Sequence, residues 1–236
     1  MPFTYQVVRR PRRKTACISI APDCSIRILV PPSYQQQQIE ALVQQKSQWI
    51  QDKLAHFQAL QAQQQTKSYC SGEHFSYLGR KYQLNIIEQT KQSAPEQATK
   101  LVQGRFMVPV PAGLAQEEAA ALVRERLITW FQEHAAQHLL ARTIHYAKQL
   151  SLSPALVGIK NYRSCWGTCH SDGRIYYNWR VIAAPQNVVD YLVVHELCHL
   201  AHPNHSKRFW KLVATMIPDH KERRVWLKEN GRSLGV

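Results

Sequence analysis

Apolar residues recur along this chain with two periods, one suited to strands and one to helices. Alternation from Ala16 to Ile20 and from Ser25 to Val30, across the turn signal Pro22-Asp23-Cys24, predicts a β-hairpin. After Pro31-Pro32, the residues Ile39, Leu42, Val43, Trp49, Ile50, Leu54, Phe57 and Leu60 recur at three- and four-residue steps, which predicts one long amphipathic helix. Its glutamine-rich exterior, at positions 35–38 and 63–65, reads as a neutral polar face of that helix. Short strands follow at Phe75–Leu78, Lys81–Ile87 and Phe106–Val110, with a polar loop over residues 89–100.

Pro109 and Pro111-Ala112-Gly113 mark a boundary that divides the chain into a small α/β module, residues 1–110, and a second domain, residues 111–236. The second begins with a helix from Glu117 to Leu150 that carries Leu122, Val123, Leu127, Trp130, Phe131, Leu139, Leu140 and Ile144 on one broad face. A strand at Leu156–Lys160 precedes a hairpin, Cys165–Cys169 to Arg174–Trp179, whose Asp172-Gly173 pair suits a tight turn. An apolar-rich helix starts after Pro185, and helices over 207–216 and 219–230 end the chain, with Phe209, Trp210 and Val213 as core candidates. The predicted class is α+β.

Composition narrows the setting. Of 236 residues 44% are hydrophobic, with six Trp, ten Tyr and six Phe, which excludes a disordered chain, and no apolar run approaches a membrane span. The first ten residues lack an apolar leader with a small-residue cleavage site. Six cysteines at 17, 24, 70, 165, 169 and 198 form no secreted framework, so a reducing cytoplasm is expected. A formal net charge of +14 draws the chain towards anionic partners, nucleotide or nucleic acid among them. The densest cluster, Arg9-Arg10-Pro11-Arg12-Arg13-Lys14, reads first as charge protecting an edge strand and second as a nucleic-acid contact. Lys221, Arg223, Arg224, Lys228 and Arg232 read as the wet face of a helix.

The run His195-Glu196-Leu-Cys-His199 carries the chemistry. Histidines four apart share a helix face, where both imidazoles reach one Zn²⁺, and Glu196 between them is placed to act as a general base. Pro203 disfavours helix at His202, so the chain leaves the helix within a turn of His199, and a turn at Pro203-Asn204 brings His205 back as the third ligand. Read alone, His202 or His205 would be a surface histidine at a helix end; with the upstream pair present, His205 is the better ligand. Cys198 falls off the ligand face and reads as packed, Trp166 as a wall of the cleft and Met216 as core. His202, Tyr191, Asn178 and His220 are equal candidates for an electrophile.

The pattern Arg163-Ser-Cys-Trp-Gly-Thr-Cys169, Asp172-Gly-Arg-Ile-Tyr-Tyr-Asn178-Trp179-Arg180, Ala184-Pro185, Asp190 to His199, Asn204-His205-Ser206 and Phe209-Trp210 resembles the YgjP-like metallopeptidase family, relatives of the SprT-like and WLM zincins. Arg10-Pro-Arg-Arg-Lys14, Lys46-Ser-Gln-Trp-Ile50 and Gly72 to Arg80 extend the resemblance over nearly the whole chain. It implies a minimal zincin-like domain, a small sheet over an active-site helix, with zinc on His195, His199 and His205 and Glu196 as catalytic base. Cys165 departs from the family's pattern, which has a basic residue directly before Trp-Gly. His202 stands where metzincins carry Gly, which argues against that clan.

Three functions compete on these residues. The first is a cytoplasmic zinc peptidase acting on peptide or protein, with an extended substrate adding as a strand beside Trp166–Cys169. The second is a metal-dependent nucleoside triphosphate pyrophosphohydrolase, motivated by the charge. The third is a protease of nucleic-acid-associated proteins, which the SprT-like resemblance permits.

Overall fold

The computed structural model describes residues 3–21, 23–63, 67–90 and 98–235, without the side chains of residues 56 and 59–63. Pro22 of the hairpin turn, the helix-face positions 64 and 65 and most of the 89–100 loop lie outside the described residues. The chain divides into two compact units, Met1–Thr66 and Lys67–Val236.

In the first unit the expected hairpin is present as β2 (Cys17–Ile20) antiparallel to β3 (Ile26–Val30), with Ile18 opposite Ile28. A strand that the alternation did not single out, β1 (Gln6–Arg9), pairs parallel on the other side of β3 and makes the order β1-β3-β2. Ile26, Ile28 and Val30 pack on Ile39, Val43 and Ile50 of two helices, α1 (Gln36–Gln45) and α2 (Ser47–Gln63). The single long helix expected from periodicity is therefore bent at Lys46, whose φ of −102° and ψ of 9° leave the helical well. The bonds Lys46 N→Leu42 O (3.1 Å) and Ile50 N→Lys46 O (2.9 Å) carry the ladder across, so the apolar period survives the bend. In the basic cluster, Arg9 donates to the carbonyls of Pro32 and Tyr34 and Arg13 to that of Thr15, while Arg10, Arg12 and Lys14 are exposed.

The second unit opens with a four-stranded sheet, β4 (His74–Tyr77), β5 (Arg80–Gln89), β6 (Lys100–Val102) and β7 (Arg105–Pro111), in the order β4-β5-β7-β6. Helix α3 (Gln116–Leu150), about 52 Å long at 1.5 Å per residue, packs on it. Phe106 of β7 meets Trp130 at 4.9 Å and Phe131 at 5.4 Å between ring centroids, and Val108 and Val110 lie in the same core as Leu127. The contact boundary accordingly falls at Thr66 and Lys67 and not at 110 and 111, because the sheet ahead of the prolines shares its apolar face with α3.

A third sheet follows, β8 (Leu156–Lys160), β9 (Gly167–Cys169) and β10 (Arg174–Asn178), ordered β8-β10-β9, so the expected hairpin is present and β9 is an edge. A 3₁₀ turn, Trp179–Ala183, leads through Pro185 into α4 (Gln186–Ala201), then α5 (Lys207–Met216) and α6 (His220–Asn230). Among the described residues no helix is long and apolar enough to cross a membrane.

Helix α4 is buried on nearly every side, from Val188 to Cys198, as an apolar-rich helix in the core must be. Asp190 is its one buried acid besides Glu196, and it is answered from α3: Arg142 Nε donates to Oδ1 at 2.7 Å and Nη2 to Oδ2 at 3.1 Å, with Gln186 adding a bond of 2.9 Å. The forked pair locks the rotation of α4 against α3. Asp190→Asn leaves the Arg142 guanidinium without its counter-charge and is expected to cost about 2–3 kcal/mol; an unchanged denaturant midpoint with the same m-value would show that the pair does not hold the helices.

Candidate metal centre

His195 and His199 lie four residues apart on α4, which sets their rings on one face. The helix stops at His202, whose extended backbone (φ −137°, ψ 98°) obeys the restriction imposed by Pro203. The chain turns sharply there, with Ser206 N bonded to Asn204 O at 2.7 Å, and Ser206 Oγ then caps α5 by accepting from Phe209 N at 3.3 Å. Phe209, fully buried, anchors the new helix. This reversal returns His205 to the pair on α4.

The result is a cluster in which one ring nitrogen from each of His195, His199 and His205 lies within 4.8 Å of the others. His195 Nε2 and His205 Nε2 stand 3.1 Å apart. Their rings rest on Phe209, with centroids at 5.0, 4.5 and 4.8 Å, and on Trp210, which stacks on His205 at 5.5 Å. Two nitrogens bound to one tetrahedral zinc at about 2.0–2.1 Å would be about 3.3 Å apart, close to the spacing observed.

Several features of the cluster fit a cation. His199 Nδ1 lies 3.1 Å from the carbonyl oxygen of His202; an N–H there donates to that carbonyl and leaves Nε2 with its lone pair free. His195 Nδ1 is buried with no partner among the described residues, so the ring's working nitrogen is the Nε2 that faces His205. Burial above all, then the neighbouring His199 and His205, pushes His195 down to about 3, and burial likewise lowers His199. Both imidazoles are therefore neutral near pH 7, the form that binds metal. Lone pairs converging at this range repel one another unless a proton or a cation lies between them.

Glu196 sits on the next face, 5% exposed. Burial pushes its carboxyl up to about 8, since among the described residues no cationic side chain pairs with it. A nearby cation would reverse that shift by favouring the carboxylate. The side chain lies flat on the edge strand: a Cβ built on Gly167 would meet Glu196 Oε1 at 2.5 Å and Cδ at 2.7 Å. Glycine at 167 is thus required by close approach, and the carboxylate is wedged between α4 and β9.

The remaining candidates fall elsewhere. His202 contributes its backbone carbonyl and not its ring to the cluster. Asn178 is spent on structure, donating to the carbonyls of Tyr162 and Cys165 and capping the 3₁₀ turn. His220 is buried with Nδ1 3.2 Å from the carbonyl of Ile217, its ring stacked on Trp210. Tyr191 packs in the apolar cluster under the histidines and is pushed up to about 12 by burial. Cys198 is fully buried in that cluster, Met216 packs at its margin and Trp166 packs on Gly231. Sequence reasoning missed Gly167 as the support of Glu196 and Arg224, whose guanidinium lies 5.1 Å over the Trp210 ring. No local pattern announces either contact.

A family model described as YgjP-like, metallopeptidase domain, matches residues 14–230. Among solved structures, the crystal structure of the metallopeptidase zymogen of Pyrococcus abyssi abylysin is similar at a TM-score of 0.35 and 23% identity, over 38% of this chain and 93% of its own. Among curated proteins none matches.

Gly167→Ala forces the Glu196 carboxyl off the strand and is expected to destabilise the fold by about 1–3 kcal/mol. In a Glu196→Ala background the same substitution should cost far less, because its obstacle is gone. Equal costs in the two backgrounds, read by chemical denaturation, would mean that the two residues do not meet.

Proposed function

The chain belongs to the YgjP-like metallopeptidase family, so it is a metal-dependent peptidase by descent, and on that footing we propose that it is a zinc peptidase of zincin-like architecture. His195, His199 and His205 would hold the ion and Glu196 would serve as general base. The observation that carries the reading is the convergence of three imidazole nitrogens within 4.8 Å, with His199 oriented by the carbonyl of His202. Three imidazole nitrogens suit zinc, a borderline-soft ion that favours nitrogen ligands in a four-coordinate site. Six unpaired thiols suit a reducing, cytoplasmic setting.

When bound, zinc supplies a Lewis acid that polarises a carbonyl and lowers the pKa of water. The protein's own groups do the rest. Glu196, wedged against Gly167, takes a proton from the attacking water and returns it to the leaving amine. The edge of β9 not used by β10 offers backbone donors and acceptors to an extended peptide, which would run beside Glu196. Burial of the apolar cluster beneath the histidines fixes their rings before substrate arrives.

The metal assignment predicts about one zinc per chain in freshly purified protein. His205→Ala should weaken zinc binding by at least about ten- to a hundredfold, whereas His202→Ala, which keeps the carbonyl, should bind zinc as the parent does. Competition with a metallochromic chelator measures both, and the reverse order would assign the third ligand to His202.

Glu196→Gln should retain zinc and lose at least about a hundredfold in hydrolysis of casein-derived peptides, since an amide cannot accept the water's proton. Undiminished peptide cleavage would reject Glu196 as the base. Release of pyrophosphate from nucleoside triphosphates by the parent, with casein peptides untouched, would favour phosphoanhydride hydrolysis instead.

A further inference from the structure

The wall of the histidine cluster carries a cation that no described residue neutralises. Trp210 of α5 lies 5.8 Å from the His195 ring and stacks on those of His205 and His220, and the guanidinium of Arg224, from α6, rests over the same indole at 5.1 Å. A cation–π contact consumes none of the guanidinium's N–H donors. The neighbouring Arg223 spends those donors within the protein, on Asp219 at 2.8 and 2.7 Å and on the Asn187 carbonyl at 2.9 Å. Among the described residues Arg224 makes no hydrogen bond and no ion pair, and it is exposed.

The indole of Trp210 links Arg224 to the site, touching both the guanidinium and the His195 and His205 rings. The surrounding helices have the same sign: Lys207, Arg208, Lys211, Lys221 and Lys228 are all exposed, and residues 207–230 hold seven Lys and Arg against three Asp and Glu. With a divalent cation beside it, such a rim repels a cationic substrate and attracts an anionic one.

We infer that Arg224 makes this site selective for substrates that carry a carboxylate beside the bond to be cut, holding that carboxylate on the free edges of its guanidinium. The planar fork matches a carboxylate in two parallel bonds, and the indole beneath holds the fork in place before binding. The inference rests on the peptidase reading above, and it identifies acidic peptides as the substrate class.

The test uses the full zinc-loaded chain and three blocked peptides, Ac-Ala-Ala-Glu-Ala-Ala-amide and its Gln and Lys counterparts. Their dissociation constants are read with the non-hydrolysing Glu196→Gln chain by tryptophan fluorescence, and kcat and KM with the parent. The parent should prefer Glu over Gln by roughly five- to tenfold, carried in KM. Arg224→Gln should bring that ratio near one with kcat and zinc content kept, Arg224→Lys should retain part of it, and Arg224→Glu should turn the preference to the Lys peptide. A Glu-to-Gln ratio that is the same in parent and Arg224→Gln overturns the inference. So does an equal fall in kcat on every peptide, which would make Arg224 a stabiliser of the transition state. If no peptide is cleaved the peptidase reading fails, while the binding ratios still decide whether Arg224 selects a carboxylate.

Discussion

A helix buried on nearly every side has to deliver two imidazoles and a carboxylate to one open spot, and the second unit is arranged around that demand. Burial gives α4 its rigidity but makes each polar group on it costly unless something answers it. Asp190 is answered by the forked Arg142 from α3, which ties the rotation of α4 to a helix of 35 residues. Glu196 is answered only by space, the missing side chain of Gly167 on β9. The third sheet therefore positions the carboxylate by backbone contact, and the rotation set by Asp190 decides which way the histidines point.

The electrostatics of the cluster follow from the same burial. His195 and His199 are kept neutral because charge is disfavoured in their surroundings, and Glu196 is kept protonated for the same reason. Opposite kinds of group are thus both driven to their uncharged forms, a state that a cation among the three nitrogens would relieve at once: the imidazoles gain a partner and the carboxyl can ionise. The aromatic floor of Phe209 and Trp210 adds rigid, apolar support beneath the rings. Trp210 links that floor to Arg224, so one indole touches both the histidine cluster and an exposed cation of the rim.

Much of this was legible along the chain. Three- and four-residue steps located α3 and most of its buried face, although Leu140 and Ile144, read onto that face, are exposed; the Asp172-Gly173 turn located the β9–β10 hairpin, and the helical spacing of His195 and His199 with Pro203 beyond them foretold a reversal that returns His205. Each of these is a local rule, in which a residue's neighbours in sequence are also those that determine its conformation. Periodicity also reported the apolar stripe from Ile39 onward, yet it could not detect the bend at Lys46, because a bend that preserves the ladder preserves the period.

What only the tertiary structure decided concerns partners far apart in the chain. The prolines at 109 and 111 look like a boundary, but Phe106, Val108 and Val110 share a core with α3, and whether two segments share a core depends on which faces meet. The parallel pairing of β1 with β3, the seat of Glu196 on Gly167, the use of His202 through its carbonyl and the cation–π contact of Arg224 with Trp210 are of the same kind. The sequence alone determined most of the elements and the residue types of the candidate metal cluster, since backbone conformation and side-chain chemistry are properties of short segments. The working surroundings of those residues came from packing between distant segments, whose close contacts leave no period or spacing in the chain to be read.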